Sequence, residues 1–355
     1  MSAWLVTGAA GFIGSNFVRE LSKAAPARLV VLDALTYAGH LASIADVLDA
    51  GAAQFVHGNI CDLPLVREVF ARFEIERVIH FAAESHVDRS ILGPQTFIET
   101  NVTGTLNLLI AARDHWQGKQ GPFQFLHVST DEVYGTLLPT DPPFNELTPY
   151  APNSPYAASK ASGDHLVRAW HRTYGLPTII TNCSNNYGPW QFPEKLIPLM
   201  ILNALEGKEL PVYGDGTQVR DWLHVRDHCA ALRLVLERGV PGETYCIGGD
   251  KPQTNLQIVE LLCDLVDERL GRKTRSARNR IRFVGDRPGH DRRYAVDAGK
   301  IRRELGWSPR QEFTTGLAEV VDWYLAHPDW VSSIRSGEYR RFYEQQYAQR
   351  LQAGL

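Results

Sequence analysis

The sequence predicts an α/β fold: a doubly wound parallel sheet with a smaller, mostly C-terminal α/β domain. Short apolar runs alternate with helical patterns through the first half of the chain, and the first run ends in a glycine-rich turn that opens a helix. The alternation weakens near residue 184, after which Gly and Pro become frequent. Strands that alternate with helices favour a parallel sheet, and a change of pattern indicates a domain boundary.

The chain of 355 residues is long enough for two hydrophobic cores. We expect a first domain at residues 1–184, completed by parts of 220–247 and 312–328. Residues 185–355 are expected to form mainly a second, substrate-binding domain.

Composition limits the possible partners. The net charge of -3 gives no overall basic field for nucleic acid or for an acidic membrane surface. Five dispersed cysteines without a CxxC pair argue against a disulfide framework and against a zinc site. The amino terminus has no signal-peptide pattern, and no run of about 18 apolar residues occurs. We therefore expect a cytoplasmic protein without a metal, a nucleic-acid partner or a membrane partner.

A glycine-rich turn follows the first apolar run, residues 4–7, and precedes a helical pattern. Its glycines, Gly8, Gly11 and Gly14, are spaced GxxGxxG, whereas the strict dinucleotide fingerprint is GxGxxG. Without Cβ atoms, the backbone N–H groups and the helix N-terminus can approach a pyrophosphate. The order of strand, turn and helix predicts a Rossmann-type dinucleotide site; the alternative is a purely structural turn.

The second apolar run, residues 29–32, ends in Asp33. A carboxylate at about 20 residues from the last fingerprint glycine is expected to bind the ribose hydroxyls of a dinucleotide. No Arg follows closely, so a 2′-phosphate would be repelled and NAD is expected rather than NADP. The alternative for Asp33 is a structural cap.

Two further apolar runs, residues 54–57 and 77–81, are followed by polar or small residues. Small residues after the second of these runs permit close passage of a flat cofactor. Nearby His86, Asp88 and Arg89 are interpreted as a local hydrogen-bond network, with catalysis as the alternative.

The stretch 129–134, Ser-Thr-Asp-Glu-Val-Tyr, follows the apolar run 123–128 and should lie at the carboxyl edge of the sheet. Its adjacent carboxylates, Asp131 and Glu132, repel each other, so a site that holds both tends to separate their pKa values into an acid and a base. The alternative is a capped turn in which Ser, Thr and Asp bind backbone N–H groups.

Tyr156 and Lys160 lie four residues apart at the start of a helical pattern, and therefore on one helix face. A phenol has a pKa of about 10, and a nearby ammonium together with an oxidised nicotinamide would lower it enough for a base. Such a pair also occurs by chance. After a dinucleotide fingerprint, however, it supplies the proton acceptor that hydride transfer from an alcohol needs.

The second half of the chain contains candidate ligand loops. Arg220 and Arg287 lie beside turn residues and suit a diphosphate, with surface salt bridges as the alternative. The basic run 269–282 lacks interleaved aromatic residues and is interpreted as a solvated loop or helix. The long helical pattern 96–116 could form a dimer face, and the tail 330–355 has a helical pattern.

With these motifs together, the chain resembles the extended short-chain dehydrogenase/reductase family, and within it the nucleotide-sugar dehydratases. The resemblance runs nearly end to end and is most specific at residues 82–90, 129–135, 156–160, 182–189 and 286–291. It implies an enzyme that acts on dTDP-glucose, holds NAD throughout one turnover, and forms a homodimer. The product would be the 4-keto-6-deoxy sugar of a deoxysugar pathway such as rhamnose synthesis.

The resemblance also implies roles for individual residues. Tyr156, assisted by Lys160 and Thr130, would take the C4 hydroxyl proton; Glu132 would remove the C5 proton, and Asp131 would protonate the departing C6 hydroxyl. The implied NAD contacts are Gly8, Gly11, Phe12, Ile13, Gly14, Asp33, Leu35, Thr36, Asn59, Ile60, Phe81, Ala82, Ala83, Ser85, Thr100, Tyr156, Lys160 and Asn186. The implied substrate contacts are Ser85, Thr130, Asn185, Lys195, Leu196, Pro211, Tyr213, Arg220, Asn255, Arg287 and His290.

One position departs from the family pattern. Asn59 stands where the family usually has an Asp near the adenine amino group, and its amide oxygen can still accept a hydrogen bond. Two alternatives remain. A nucleotide-sugar 4-epimerase or decarboxylase would need the same NAD, Tyr and Lys but not the adjacent pair Asp131 and Glu132. An NAD-sensing regulator would be expected to lack Tyr156 or Lys160.

Overall fold

The computed structural model describes residues 3–24, 28–118 and 121–335. Within these ranges the strands are β1 Ala3–Thr7, β2 Arg28–Asp33, β3 Ala53–His57, β4 Ile75–His80, β5 Gln124–Thr130, β6 Thr178–Cys183, β7 Asn185–Tyr187, β8 Leu210–Tyr213, β9 Val219–His224, β10 Thr244–Ile247, β11 Pro252–Thr254 and β12 Ile281–Val284. The α-helices are α1 Phe12–Ala24, α2 Ala45–Asp49, α3 Leu63–Phe73, α4 Val87–Leu92, α5 Pro94–Ile98, α6 Thr105–Gln117, α7 Pro155–Tyr174, α8 Leu196–Glu206, α9 Val225–Arg238, α10 Asn255–Arg269, α11 Gly299–Leu305, α12 Phe313–Ala326 and α13 Pro328–Ile334. The predicted helical tail begins at residue 330, within this last helix. Residues 336–355 of the tail lie outside the described ranges.

The main sheet has seven strands in the order β10-β6-β5-β4-β1-β2-β3, and all of its strand pairs are parallel. Strand β1 lies between β2 and β4, so the order reverses beside β1. In open α/β sheets, ligands bind at the carboxyl ends of the strands where the order reverses. The predicted Rossmann-type sheet is confirmed, and its ligand edge is the edge that follows Thr7, Asp33 and Thr130.

The strands of this sheet are apolar because helices cover both faces. Every residue of β1 and β6 is buried, as parallel strands in the middle of a layered fold require. Helices α1 and α9 contribute to the core on one face, and helices α3, α6 and α7 contribute to the core on the other.

A second core forms around helices α8, α10 and α12. The three-stranded sheet β11-β9-β7 and the two-stranded sheet β12-β8 accompany these helices. Within the range 220–247, strand β10 joins the main sheet, and helix α9 packs into the first core. The apolar residues of α12, within the range 312–328, lie in the second core instead. The division at residue 184 stays a proposal.

The predicted long helix 96–116 is interrupted. Helix α5 is followed by a π-helical segment, Glu99–Gly104, before α6 begins at Thr105. π-helical turns inside longer helices are frequent at functional sites. This segment faces the cleft above the main sheet through Thr100.

Candidate active site

A cleft of about 300 Å³ lies at the carboxyl edge of the main sheet. Its floor carries the ends of β1, β2, β4 and β5, and its far wall comes from residues 183–195 of the second half of the chain. The predicted site residues on its walls are Gly8, Gly11, Phe12, Ile13, Gly14, Asp33, Thr36, Asn59, Ile60, Phe81, Ala82, Ala83, Ser85, Thr100, Thr130, Asp131, Glu132, Tyr156, Lys160, Asn185, Asn186 and Lys195. The fold therefore brings the predicted dinucleotide residues and the predicted catalytic residues into one cavity.

The glycine turn forms a cradle that side chains would fill. Gly8 has a φ of +70°, and a Cβ atom there would lie 2.5 Å from the Ala82 backbone nitrogen. A Cβ atom at Gly14 would lie 2.3 Å from the Gly8 carbonyl oxygen. Both positions therefore exclude larger residues on steric grounds, and the bare backbone meets the start of α1 as a pyrophosphate site requires.

Asp33 is fixed by two backbone hydrogen bonds. The Ala10 N–H donates to one carboxylate oxygen and the Leu35 N–H to the other, each at 2.8 Å. Burial raises the pKa of Asp33, and these two bonds oppose the rise. Leu35, a predicted cofactor contact, lies off the cavity wall, and its backbone orients Asp33. Each carboxylate oxygen retains acceptor capacity toward the cleft.

Asn59 lies on the cavity wall at the end of the third strand's turn. Its amide oxygen accepts a hydrogen bond of 2.9 Å from the Cys61 N–H. Because a carbonyl oxygen has two lone pairs, that bond leaves one acceptor position toward a ligand.

The stretch after β5 is both a capped turn and part of the site. Residues Asp131–Tyr134 form a 3₁₀ turn, and the Thr130 hydroxyl accepts a hydrogen bond of 3.3 Å from the Glu132 N–H. The two interpretations of this stretch are therefore compatible. The cap turns the chain so that Asp131 and Glu132 both face the cleft.

The two carboxyl groups lie in different surroundings. Asp131 is 1 % exposed, and its Oδ2 atom has no hydrogen-bond partner. Burial, then the charges of Glu132 and Asp221, raise the pKa of Asp131 well above its usual value. Such a shift favours the protonated form, which can act as an acid.

Glu132 is also affected by burial, which raises its pKa. Three cations, Arg287, Lys195 and Arg220, oppose this rise and favour the ionised form. The separation of roles that adjacent carboxylates suggested therefore has a physical basis. Asp131 is deeply buried beside other acids, whereas Glu132 faces basic side chains.

Helix α7 positions Tyr156 and Lys160. The Ser154 side chain caps the helix by accepting from the Ala157 N–H at 3.1 Å, and Pro155 occupies the first turn. Tyr156 thus lies in the first turn, where the helix dipole favours a negative charge. Lys160 lies one turn later and donates a hydrogen bond of 2.9 Å to the Val128 carbonyl oxygen.

The protein groups around Tyr156 do not by themselves make its phenol a base. Burial raises its pKa well above the usual value, Glu132 adds to the rise, and the Thr130 hydroxyl opposes it. The surroundings therefore raise the pKa of this phenol, in contrast to the lowering expected from Lys160. The positive charge of an oxidised nicotinamide would act in the lowering direction.

The predicted diphosphate arginines lie beside the acid-base pair. Arg220 stacks over the Tyr294 ring at 4.2 Å and donates to the Asp291 carbonyl oxygen at 2.8 Å. Arg287 pairs with Asp88 at 3.4 Å. Burial lowers the pKa of Arg220, and the charge of Arg287 adds to this effect. Two neighbouring cations, one buried and one partly buried, suit an anionic ligand.

Other predicted substrate contacts lie beyond the cavity wall. Tyr213 donates a hydrogen bond of 2.8 Å to Asp88, and His290 contacts Asp286 at 2.6 Å. Burial and then the charges of Arg287 and Arg220 lower the pKa of His290 to about 4. The remaining three, Leu196, Pro211 and Asn255, lie at the start of α8, in β8 and at the start of α10.

The cluster that follows β4 is the local network that the sequence indicated. His86 caps α4 by accepting from the Arg89 N–H at 3.4 Å. Asp88 binds Tyr213 and Arg287, while Arg89 pairs with Glu194 at 3.2 Å. The network therefore links the first half of the chain to segments of the second half.

Several cavity-lining residues were not named as site residues from the sequence, among them Glu84, Cys183 and Gln191, whereas Phe192 and Glu194 belong to a loop that the sequence indicated as a ligand loop. Asn101 in the π-helical segment was also missed. Its amide nitrogen donates to the Glu84 carbonyl oxygen at 3.0 Å and to the Ser159 hydroxyl at 2.8 Å. Hydrophobic periodicity carries no signal for such a residue, because its role depends on a local change of helix type.

The described residues contain no group of three or more His, Cys, Asp or Glu side chains placed to hold a metal ion. Among the helices of the described part of the chain, none combines the length and the apolar character needed to cross a bilayer.

Known proteins resemble this chain over nearly its whole length. Residues 5–320 match the protein family described as GDP-mannose 4,6 dehydratase. The chain is 55% identical to the dTDP-glucose 4,6-dehydratase of Salmonella typhimurium over 355 residues, which covers 97% of this chain and 98% of the relative. A crystal structure of the dTDP-glucose 4,6-dehydratase of Streptomyces venezuelae, with NAD and TYD bound, has a TM-score of 0.87 at 49% identity and covers 94% of this chain and 99% of that chain.

A UDP-glucose 4-epimerase of Thermotoga maritima with UDP-glucose is also similar. It has a TM-score of 0.81 at 29% identity, covering 91% of this chain and 99% of that chain. The fold is thus shared by enzymes with different reactions, and the site must distinguish them.

The seven-stranded sheet, the glycine cradle and the Tyr156–Lys160 pair define an extended short-chain dehydrogenase/reductase. Within that class, the chain belongs to the dTDP-glucose 4,6-dehydratase family, whose members it matches over nearly its whole length.

Proposed function

We propose that this protein is an NAD-dependent lyase that converts dTDP-glucose to dTDP-4-keto-6-deoxyglucose and water. The observation that carries the proposal is the position of Asp131 and Glu132 in the same cavity as Tyr156 and the glycine cradle. A hydride acceptor and a proton acceptor suffice for oxidation at C4. Loss of water across C5 and C6 needs an acid and a further base, and Asp131 and Glu132 supply them.

NAD fits the residues present. The cradle at Gly8 and Gly14 leaves room only for close backbone approach, and Asp33 lies on the cavity wall, where its carboxylate would repel a 2′-phosphate. When bound, NAD accepts hydride from C4 and returns it to C6. The cofactor contacts named from the sequence stay proposals, with Leu35 acting through Asp33.

For the first half of the reaction, Tyr156 takes the proton of the C4 hydroxyl. Thr130 lies beside the phenol and opposes the rise of its pKa. Lys160, held by the Val128 carbonyl, supplies a positive charge on the same helix face. Helix α7 and the end of β5 therefore present the groups that polarise the hydroxyl.

For the second half, the new ketone at C4 makes the C5 proton acidic. Glu132, whose ionised form is favoured by Arg287 and Lys195, removes this proton. Asp131, whose protonated form is favoured by burial, transfers its proton to the departing C6 hydroxyl. Water leaves, hydride is added at C6, and the proton held by Glu132, after exchange with solvent, is added at C5; the proton taken by Tyr156 balances the one given by Asp131.

The nucleotide end of the substrate is assigned to the basic side chains beyond the acid-base pair. Arg220 and Arg287 would neutralise the diphosphate, and Lys195, on the cavity wall, donates to the Ser85 carbonyl oxygen at 2.6 Å. The other substrate contacts proposed are Thr130, Asn185, Leu196, Pro211, Tyr213, Asn255 and His290.

We also propose that the protein is cytoplasmic. We further propose a homodimer, because helices α4 and α5 expose apolar side chains. Leu92 is 70% exposed and Ile98 is 49% exposed. Sedimentation that shows only monomer at micromolar concentration would contradict the dimer.

Incubation with dTDP-glucose in deuterated water, followed by mass spectrometry and NMR of the product, tests the function. The expected product has lost one water and carries one deuterium at C5. A product of unchanged mass with inverted C4 would instead identify a 4-epimerase, which has no need of Asp131 and Glu132. Absence of any turnover with NAD supplied would contradict both.

A further inference from the structure

Asp164 is a buried carboxylate that the proposed reaction leaves unused. It lies on α7 one turn after Lys160 and two turns after Tyr156, and it is 1% exposed. A charge in the interior is costly unless it is paired and hydrogen-bonded. The partners of Asp164 therefore indicate what its charge does.

One carboxylate oxygen, Oδ2, accepts three hydrogen bonds from donors on three different segments. It accepts from the Ser129 hydroxyl at 2.9 Å, from the Tyr150 hydroxyl at 2.9 Å and from the Asn182 amide at 3.1 Å. Ser129 lies on β5, Tyr150 lies in the connection between β5 and α7, and Asn182 lies on β6. Asp164 thus links helix α7 to strands β5 and β6, beneath the turn that carries Asp131 and Glu132.

These bonds bear directly on Thr130. Ser129 precedes it in β5, and the Asn182 amide that binds Asp164 also donates to the Thr130 carbonyl oxygen at 3.1 Å. Thr130 in turn caps the turn that carries Glu132. A shift of Asp164 would therefore move the residue on which the orientation of the acid-base pair depends.

The other carboxylate oxygen, Oδ1, faces the His127 ring, whose Nε2 atom lies 3.2 Å away. This contact is poorly aligned for a hydrogen bond. Close packing enforces it: a Cβ atom at Gly163 would lie 3.2 Å from the Asn101 carbonyl oxygen and 3.4 Å from His127 Nε2. Helix α7 therefore packs closely against β5 at Gly163, where a methyl group would require its neighbours to shift by a few tenths of an ångström.

Among the ionisable groups around Lys160, Asp164 is the one that carries a negative charge. Burial lowers the pKa values of His80 and His127, so both rings are neutral near pH 7. Burial raises the pKa of the Cys183 thiol to about 12, so it is neutral too. Among the groups that act on Lys160 in the described structure, Asp164 is left as the anion.

The two charges support each other. Burial lowers the pKa of the Lys160 ammonium, and Asp164 opposes this effect. Burial would raise the pKa of Asp164, but the contact with His127 and the charge of Lys160 outweigh it and keep the pKa below its usual value. Each charge therefore favours the ionised form of the other.

We propose that Asp164 is a positioning residue for this reaction: its carboxylate is the buried counter-ion of Lys160 and the anchor that holds Ser129 and Asn182 on either side of Thr130. The inference rests on the proposed function, because it assumes the roles given to Lys160 and Thr130. A carboxylate with a packing role alone would affect stability but not the pH dependence of hydride transfer.

The test compares Asp164→Asn, Asp164→Glu and the wild type in single-turnover reduction of bound NAD by dTDP-glucose, followed by absorbance over a range of pH. In Asp164→Asn, Lys160 loses its counter-ion and releases its proton at lower pH, so the alkaline limb of the rate profile moves to lower pH. The plateau rate falls on the order of 10- to 100-fold through misplacement. Asp164→Glu keeps the charge, so its alkaline limb stays where it is in the wild type.

Asp267→Asn is the matched control. Asp267 is also 1% exposed and accepts a backbone hydrogen bond of 2.9 Å from Ala277, but it lies in the second core. Its replacement should lower stability without moving the pH profile. If Asp164→Asn behaves in the same way, with a lowered melting temperature and an unmoved alkaline limb, the proposal is wrong.

A thermal-unfolding cycle with Lys160→Met keeps the proposal testable if Asp164→Asn folds poorly. Removing one partner leaves a buried charge unpaired, whereas removing both does not. Asp164→Asn/Lys160→Met is therefore expected to melt at a higher temperature than Asp164→Asn alone, and a lower or equal value would contradict the mutual stabilisation of the two charges. This readout needs no turnover, so it separates failure of the proposal from failure of the proposed function, which would appear as an inactive wild type.

Discussion

Lys160 on helix α7 donates a hydrogen bond of 2.9 Å to the carbonyl oxygen of Val128, two residues before Thr130. This bond joins the helix that carries the hydroxyl-activating pair to the strand that ends in the acid-base pair. Oxidation at C4 and elimination across C5 and C6 use different groups, yet one cavity contains both sets. Variants can therefore be designed to slow one step and spare the other.

Replacement of the acid should block the middle of the reaction. Asp131→Asn keeps the shape of the side chain but has no proton to give, so water loss should slow by about 10²- to 10⁴-fold. The first hydride transfer should change little, and reduced cofactor should accumulate in a single turnover followed by absorbance. Equal slowing of both steps would contradict the role of Asp131.

Replacement of the phenol should block the first step instead. Tyr156→Phe removes the proton acceptor for the C4 hydroxyl, and reduction of NAD should slow by about 10²- to 10⁴-fold. Tyr174→Phe at the other end of α7, where the side chain is 39% exposed, is the control and should leave the rate unchanged. Calorimetric titration should show that both variants still bind NAD.

The positive charge of Lys195 should affect the pH below which removal of the C5 proton becomes slow. Glu132 acts as a base only when ionised, so this step is lost as the pH falls through its pKa. Lys195 opposes the burial-induced rise of that pKa, so Lys195→Met should move the acid limb to higher pH. Exchange of the C5 hydrogen with deuterated solvent measures the step at saturating substrate. Lys195→Arg keeps a positive charge and should leave the limb in place; a shift of equal size there would rule out the electrostatic explanation.

The Gly14 position should not tolerate a methyl group. In Gly14→Ala the new Cβ atom would meet the Gly8 carbonyl oxygen at 2.3 Å, so the cradle must open. We expect a loss of about 1–3 kcal/mol in the free energy of unfolding from overpacking, with weaker NAD binding. Gly121→Ala, where a Cβ atom would meet nothing within 4 Å, is the control for denaturant unfolding and for NAD titration. Unchanged NAD affinity in Gly14→Ala would show that the cradle is not the pyrophosphate site.

Asp33→Asn should weaken NAD binding through the ribose. The variant removes the charge that receives the Ala10 and Leu35 N–H groups and that would receive the ribose hydroxyls. We expect a loss of about 1.5–3 kcal/mol in NAD binding and a smaller preference for NAD over NADP in calorimetric titration. Asp49→Asn, at an exposed position on α2, should bind NAD as the wild type does.

The fold and much of the candidate site follow from local patterns in the sequence. Apolar runs of strand length predict buried parallel strands, because the period and length of such runs reflect burial on both faces. The glycine turn predicts close backbone approach, and the spacing of Tyr156 and Lys160 predicts a shared helix face. These features depend on residues near one another in the chain, so the sequence alone was sufficient.

The chemical roles of Asp131 and Glu132 depend on the tertiary structure. The two residues are neighbours in the chain, but burial and the charges of Glu132 and Asp221 favour the protonated form of Asp131, and cations from residues 195, 220 and 287 favour the ionised form of Glu132. A pKa depends on burial and on charges brought close by folding. For the same reason, the partners of Asp164 become visible only when α7, β5 and β6 pack together. The sequence by itself determined which groups are present and in which elements; the tertiary structure decided which of them hold protons, because only folding fixes their distances.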